Sequence, residues 1–385
     1  MQPASFRLTG LTDPALAGFD DIIDVRSPSE FAQDRLPGAI NLPVLDDMQR
    51  AEVGTIYKQV SPFQARKIGA ALVAANTARH IAGPLSDRDG GWRPLVYCWR
   101  GGQRSGSFAM ILAQIGWRVA RLEGGWKSWR ALVVDRCERL GPAAPVVVLD
   151  GNTGSAKTEI LHRLAAREVQ ALDLEGLANH RGSLFGAMPG GQPPQKLFES
   201  RLALAMAALD PARPVLVEAE SSRIGDVVVP RAMWQKICAA PRLRLDVPVA
   251  ARAAYTARAY ADAVAEPGRV EATVARLADA ASGGGARRAA AEPLKTFGLH
   301  PAERIADWRG MAARGDWAAL AEGLMRDHYD PRYRKHRDRY GAMEKAVIPV
   351  ADLSPAGLES AAGAVERALA ALDLGSGAKA GERQG

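Results

Sequence analysis

The chain has 385 residues, 47% of them hydrophobic, a length that provides for two domains with sizeable cores. Its net charge of +7 suits a polyanionic partner such as a nucleic acid. Cys98, Cys137 and Cys238 are odd in number and widely spaced, which excludes a disulfide framework and fits a reducing cytoplasm; no apolar run has membrane-spanning length, MQPASFRLTG has no signal-peptide pattern, and no CxxC pair or histidine cluster points to zinc.

In chain order, DDIIDVRSPSEFAQDRLPGAINLPV reads as a short buried strand, a turn capped through Ser29 and Glu30, a helix, and a PGA turn into a second strand. LVYC is a further strand. It delivers Cys98 into a loop that carries Arg100, Gly101, Gly102 and Arg104 and opens the helix SFAMILAQIG. Backbone N–H groups at a helix N-terminus, with arginines beside them, favour a thiolate over a thiol, so Cys98 reads as a nucleophile and not as a small core residue. RVARLEGG and GGWKSW supply another strand and turn. Strands alternating with helices predict a parallel sheet covered on both faces.

These marks resemble rhodanese domains: the aspartate-valine-arginine strand end, the PGA-x-N segment, the cysteine loop and the glycine-tryptophan turn, over the first third of the chain. The loop departs from ordinary sulfur-transferring rhodaneses by one extra residue. Cys98 and Arg104 have the C-x5-R spacing also used by cysteine phosphatases, which leaves chalcogen transfer and phosphate-ester hydrolysis both open. For hydrolysis Glu123 and Asp135 are the candidate general acids.

After the helical KSWRALVVDRCERL, the segment PVVVLDGNTGSAKTEILHRLA has the order of a P-loop: β-branched strand, glycine turn, then Lys157 and Thr158 at a helix start. Gly151, Asn152, Thr153, Gly154, Ser155, Ala156 and Lys157 would cradle a diphosphate, with Lys157 as point charge and Thr158 as a Mg2+ ligand. Ala156 stands where a glycine is usual, so either its backbone is ordinary or the fit is looser. LANHRGSLFGAMPGGQPPQKLFE is too long for a plain connection and reads as a substrate loop, with His180 and Arg181 as anion contacts. VLVEAESSRIGD then sets Glu218 and Glu220 at a strand's carboxyl end, as magnesium or proton partners, with Arg223 beyond them as an anion contact.

The C-terminal part is alanine- and arginine-rich. HYDPRYRKHRDRY alternates Tyr329, Tyr333 and Tyr340 with cations, a pattern that suits either RNA phosphates and an unpaired base or an ordinary solvated helix face. ASGGGARR reads as a break between helices and GSGAKAGERQG as a disordered tail. His80, His162, His300, His328 and His336 are scattered and carry no assigned role. The expected organisation is a rhodanese-like domain at 1–130, a connecting helix at 131–141, a P-loop NTPase-like α/β domain at 142–249, a helical C-terminal region at 250–372 and a tail at 373–385.

Taken together, DVRSPSEF, PGAINLPVL, VGTIYKQ, YCWRGGQRSGS, GNTGSAKT, LEGLANHRGSLFG and VEAESSRIG resemble the tRNA 2-selenouridine synthase family. The resemblance implies a cytoplasmic enzyme that acts on the wobble base in the tRNA anticodon stem-loop. There 2-thiouridine is first S-geranylated with geranyl diphosphate, and selenium from selenophosphate then displaces the geranylthio group. A selenophosphate-producing enzyme becomes an expected partner. Cys98 is expected to handle selenium, with Arg100 and Arg104 stabilising the anionic donor. The competing readings are a rhodanese-like sulfurtransferase or C-x5-R phosphatase, and a non-enzymatic ATP-gated RNA-binding switch.

Overall fold

The computed structural model describes residues 2–261, 265–266, 268–279 and 300–374, and the ASGGGARR break and nearly all of the predicted tail lie outside them. The described chain divides into two compact units. One comprises residues 1–141, 193–208 and 230–232, and the other the remainder.

The first unit is built on a parallel sheet of β1 (Ala4–Phe6), β2 (Asp21–Asp24), β3 (Ala39–Asn41), β4 (Pro94–Tyr97) and β5 (Ala120–Leu122), in the order β1-β5-β4-β2-β3. Its helices are α1 (Pro28–Gln33), α2 (Asp47–Gln59), α3 (Pro62–Ala82), α4 (Gln103–Ile115) and α5 (Trp126–Val134). Ser27, not Ser29, is the N-cap of α1, in a reciprocal capping box with Glu30, and Pro28 at the first helical position leaves no N–H to satisfy. Ile23, Val25, Val96, Phe108 and Leu112 are fully buried between sheet and helices. At the strand ends Arg26 is buried in a bidentate pair with Asp24 and also donates to the Asp34 carbonyl, so the interior cation is paired and hydrogen-bonded.

In the second unit β6 (Val146–Gly151) runs into α6 (Lys157–Ala165), followed by β7 (Ala171–Leu172) and α7 (Leu174–Ala178). The next helix, α8 (Gln195–Ala207), packs in the first unit. It buries Leu197, Phe198 and Leu202, accepts from the Trp129 indole N–H through Ser200 and pairs Glu199 with Arg130. The chain returns through β8 (Val215–Glu218), the hairpin β9 (Arg223–Ile224) and β10 (Val227–Val228), α9 (Arg231–Ala239), β11 (Arg242–Asp246), α10 (Val249–Ala259), α11 (Arg269–Asp279), α12 (Ala302–Ala313), α13 (Trp317–Leu324), α14 (Asp330–Tyr340), β12 (Glu344–Pro349) and α15 (Pro355–Ala370).

The second sheet is parallel, with order β12-β11-β6-β8-β7. Its edge strand β12 comes from the C-terminal region 250–372, whose described residues are otherwise mostly helical, and α15 follows it. Ile160, Leu161 and Leu164 of α6 meet Leu358, Val365 and Leu369 of α15 in one buried cluster. Burial of this kind stabilises by roughly 1.5–3 kcal/mol per large side chain, which outweighs the weak strand signal of the exposed, alternating β12 sequence. No helix among the described residues is long and apolar enough to cross a membrane.

Candidate functional site

Cys98 follows β4 directly and is 3% exposed. The loop after it turns through Gly101 at φ +67°, where a Cβ would come within 2.7 Å of the Leu122 carbonyl, and reaches the α4 N-cap at Gly102. Gly125 closes over it from the β5–α5 turn. A Cβ there would sit 2.3 Å from the Cys98 carbonyl and 2.4 Å from the Gly101 nitrogen, so only glycine permits this approach. Ser105 donates its hydroxyl to Cys98 Sγ at 3.1 Å. Among the described residues, the N–H groups of Arg100, Gly101 and Gly102 meet no protein acceptor, which leaves them available to an anion.

The two loop arginines part company. Arg100 is exposed at the loop. Arg104 is engaged in a bidentate pair with Glu30, at 2.6 and 3.2 Å. Burial alone would push the Glu30 carboxyl up, but the Arg104 guanidinium, with the Ser27 N–H and Arg50, holds it below the ordinary carboxylate range. Arg104 therefore braces the loop against α1. Glu123 accepts from the Ser5 hydroxyl and Asp135 pairs with Arg139 in the π-helical turn after α5, so each candidate acid has a structural partner.

In the second unit Thr153–Thr158 line a cavity of about 1120 Å3, mouth included. Ala156 is the α6 N-cap at φ +56°, ψ +31°, so its backbone is not ordinary: an alanine occupies the left-handed conformation that glycine favours. Lys157 is buried and donates from Nζ to the Gly151 carbonyl at 3.0 Å. Burial opposes its charge, but Tyr333, Glu220, Glu175 and Asp150 around it prevail and hold its pKa above the usual lysine value. Asn152 shapes the turn by accepting from the Ser155 N–H. Gly154 needs its missing Cβ, since one would fall 2.6 Å from Thr256 Oγ1.

Glu220 enters the cavity, whereas Glu218 lies behind it and accepts from the Glu175 N–H at 2.8 Å. Burial, with Asp173 and Glu175 nearby, pushes the Glu218 carboxyl well up; burial and Glu175 do the same to Glu220 against the pull of Lys157. Glu175, which sequence reasoning left without a role, accepts from Thr158 Oγ1 at 2.8 Å and lies beside Glu220 around Gly182. Arg181 lines the cavity with its guanidinium 4.9 Å from the centre of the Tyr260 ring. His180 instead stays within the loop, accepting from the Gly182 N–H through Nδ1, and Arg223 is exposed on the β9–β10 hairpin. Neither belongs to the cavity wall.

The arginine–tyrosine stretch also turns inward. Tyr333 lies over Lys157 at 5.9 Å, Tyr329 Oη accepts from the Leu184 N–H, and Tyr340 Oη donates to Cys238 Sγ beneath Arg242. These rings are committed to the fold and not offered as a stacking surface. The side chains of Lys335, His336 and Arg337 lie outside the described residues.

A second, apolar cavity of about 70 Å3 adjoins the first. Thr153, Ser183, Thr256 and Tyr260 line both. Beyond them its walls are Phe185, Val270, Trp317, Leu320, Leu324 and Met325. A phosphate-type loop thus stands at the mouth of a hydrocarbon-like pocket, an arrangement suited to an amphiphile with an anionic head. No such pocket was legible in sequence, because its wall is gathered from α10, α11 and α13. Among the described residues no three His, Cys, Asp or Glu side chains converge as metal ligands, and the Thr158 hydroxyl is already bonded to Glu175.

Residues 144–283 match the family model of the tRNA 2-selenouridine synthase AAA domain, and residues 11–132 match the rhodanese-like domain. The tRNA 2-selenouridine synthase of Shewanella loihica is 34% identical over 83% of this chain and 87% of its own length. Those of Cupriavidus necator and Verminephrobacter eiseniae are 35% and 36% identical, over 87% and 82% of this chain and 92% and 88% of theirs.

Proposed function

The chain belongs to the tRNA 2-selenouridine synthase family, and from that premise we propose that its two units divide two half-reactions at the wobble base of tRNA. The P-loop unit takes geranyl diphosphate and transfers the geranyl group to 2-thiouridine. The cysteine-loop unit then serves the exchange of geranylthio for selenium from selenophosphate. The observation that carries this reading is the apolar cavity joined to the phosphate-type cavity, since a nucleotide base and ribose would require polar partners where the wall offers aliphatic and aromatic carbon.

In the first step the loop N–H groups and Lys157 receive the diphosphate, and Arg181 closes on it from the substrate loop. The thiocarbonyl sulfur forms a bond to C1 of the geranyl group while the C1–O bond breaks and diphosphate leaves. Glu175, beside Glu220 and next to Lys157, would take the N3 proton. A Mg2+ ion would arrive with the diphosphate and find Thr158 and Glu175 as protein ligands; no step depends on it here.

In the second step the N–H groups behind Cys98, with Arg100 beside them, receive the selenophosphate anion, and Arg104 keeps the loop in shape through Glu30. The selenium of selenophosphate forms a bond to C2 of the base as the C2–S bond breaks and geranyl thiolate leaves; water then cleaves the Se–P bond, phosphate departs, and 2-selenouridine remains. Purified protein with thiolated tRNA and geranyl diphosphate, analysed by mass spectrometry of nucleosides, should yield S-geranyl-2-thiouridine, and added selenophosphate should convert it to 2-selenouridine. Tight ATP binding with no binding of geranyl diphosphate would instead favour the ATP-gated switch.

A further inference from the structure

The apolar cavity has two ends. At one, Thr153, Ser183, Thr256 and Tyr260 line both it and the phosphate-type cavity. At the other, Val270 and Trp317 line both this cavity and a separate cavity of about 550 Å3, whose remaining walls include Glu266, Glu271 and Arg309. Two side chains thus stand between an apolar pocket and a roomier, partly charged space. Trp317 is fixed in that position. It is the first residue of α13, whose cap Asp316 accepts from the Ala319 N–H, and its ring packs on the buried cluster of Val270, Trp308 and Leu320.

We propose that Trp317, backed by Val270, is the stop that sets the length of the isoprenoid tail this protein accepts. The inference rests on the reading of this site as a prenyl diphosphate site. A tail with its diphosphate on the P-loop runs toward Trp317, and each added isoprene unit must either fit before the indole or displace it. Packed aromatic side chains move only at the expense of their own contacts, so a longer tail is rejected by strain and not by lack of affinity for carbon. Removing the indole would join the two cavities and give a five-carbon extension room to pass.

The test is a competition between geranyl and farnesyl diphosphate for transfer to thiolated tRNA by the full-length protein, read as the ratio of products by mass spectrometry. The wild-type protein should favour geranyl. Trp317→Ala should raise the farnesyl-to-geranyl ratio by about ten-fold or more, the scale on which apolar pockets discriminate by size, and Trp317→Phe should fall between. Should Trp317→Ala fail to fold, Val270→Ala widens the same wall by a smaller truncation and should move the ratio in the same direction. Variants that keep geranyl transfer with an unchanged ratio overturn the role of Trp317 while leaving the prenyl site intact. A wild-type protein that transfers neither group overturns the site reading, and this inference with it.

Discussion

Lys157→Ala removes a buried ammonium whose Nζ lies 3.0 Å from the Gly151 carbonyl, over the Tyr333 ring and among Glu220, Glu175 and Asp150. A charge-assisted hydrogen bond to a diphosphate oxygen contributes about 1.5–3 kcal/mol, which corresponds to a roughly 10- to 150-fold loss of affinity. Because the folded-state pKa of Lys157 is raised, its ionic stabilisation is fully present below the ordinary lysine pKa and is lost only as pH rises through the higher folded value. A measurement near neutral pH therefore sees the whole effect. Titration calorimetry with geranyl diphosphate should show the weakened binding, while circular dichroism shows the fold retained. Lys157→Arg should not rescue it, since a planar guanidinium cannot replace a compact ammonium in this enclosed position. A folded Lys157→Ala protein whose dissociation constant changes less than about three-fold would refute the placement of the diphosphate on this loop, because even the weakest charge-assisted contact predicts more.

Cys98→Ser should abolish selenium incorporation yet spare geranyl addition, so S-geranyl-2-thiouridine accumulates in tRNA; equal loss of both steps in a folded variant would remove Cys98 from the second step. Ala156→Gly relieves a left-handed alanine, worth about 1–2 kcal/mol. It also loses a buried methyl and loosens the unfolded chain, by about 0.8 and 0.4–1 kcal/mol, so the denaturation midpoint should barely move, and a large drop would contradict this balance. Glu218 has a raised folded pKa, so its protonated form is fully accommodated below the ordinary carboxylate range and stability is lost as pH rises from that range toward the folded value. Glu218→Gln, which mimics the protonated carboxyl, should flatten the fall of melting temperature with pH over that window; parallel melting curves for the two proteins would show that Glu218 does not titrate there.

Both candidate sites were legible in sequence because each is a contiguous strand, loop and helix. The loop from Cys98 to Gly102 and that from Gly151 to Thr158 need no distant residue to declare their glycines, their thiol or their lysine. Orientation within them was not legible. Arg104 has its bidentate partner at Glu30, 74 positions away, and that ion pair makes its guanidinium a brace between α4 and α1. Ala156 left an ordinary backbone and a looser fit both open in sequence; it adopts the glycine-like conformation at the start of α6 with its methyl in the core. β1 and β12 escaped sequence reading because short edge strands need a neighbour's hydrogen bonds more than any periodicity of their own. Tyr333 shows the difference most plainly: spaced among arginines it resembled an RNA surface, yet the packing of α14 sets it over Lys157. The sequence by itself determined the two glycine-rich loops at strand ends, the parallel sheets and the family. Only the tertiary structure decided which charges face those loops and that the phosphate-type loop opens on an apolar cavity, because each depends on side chains that long-range packing brings together.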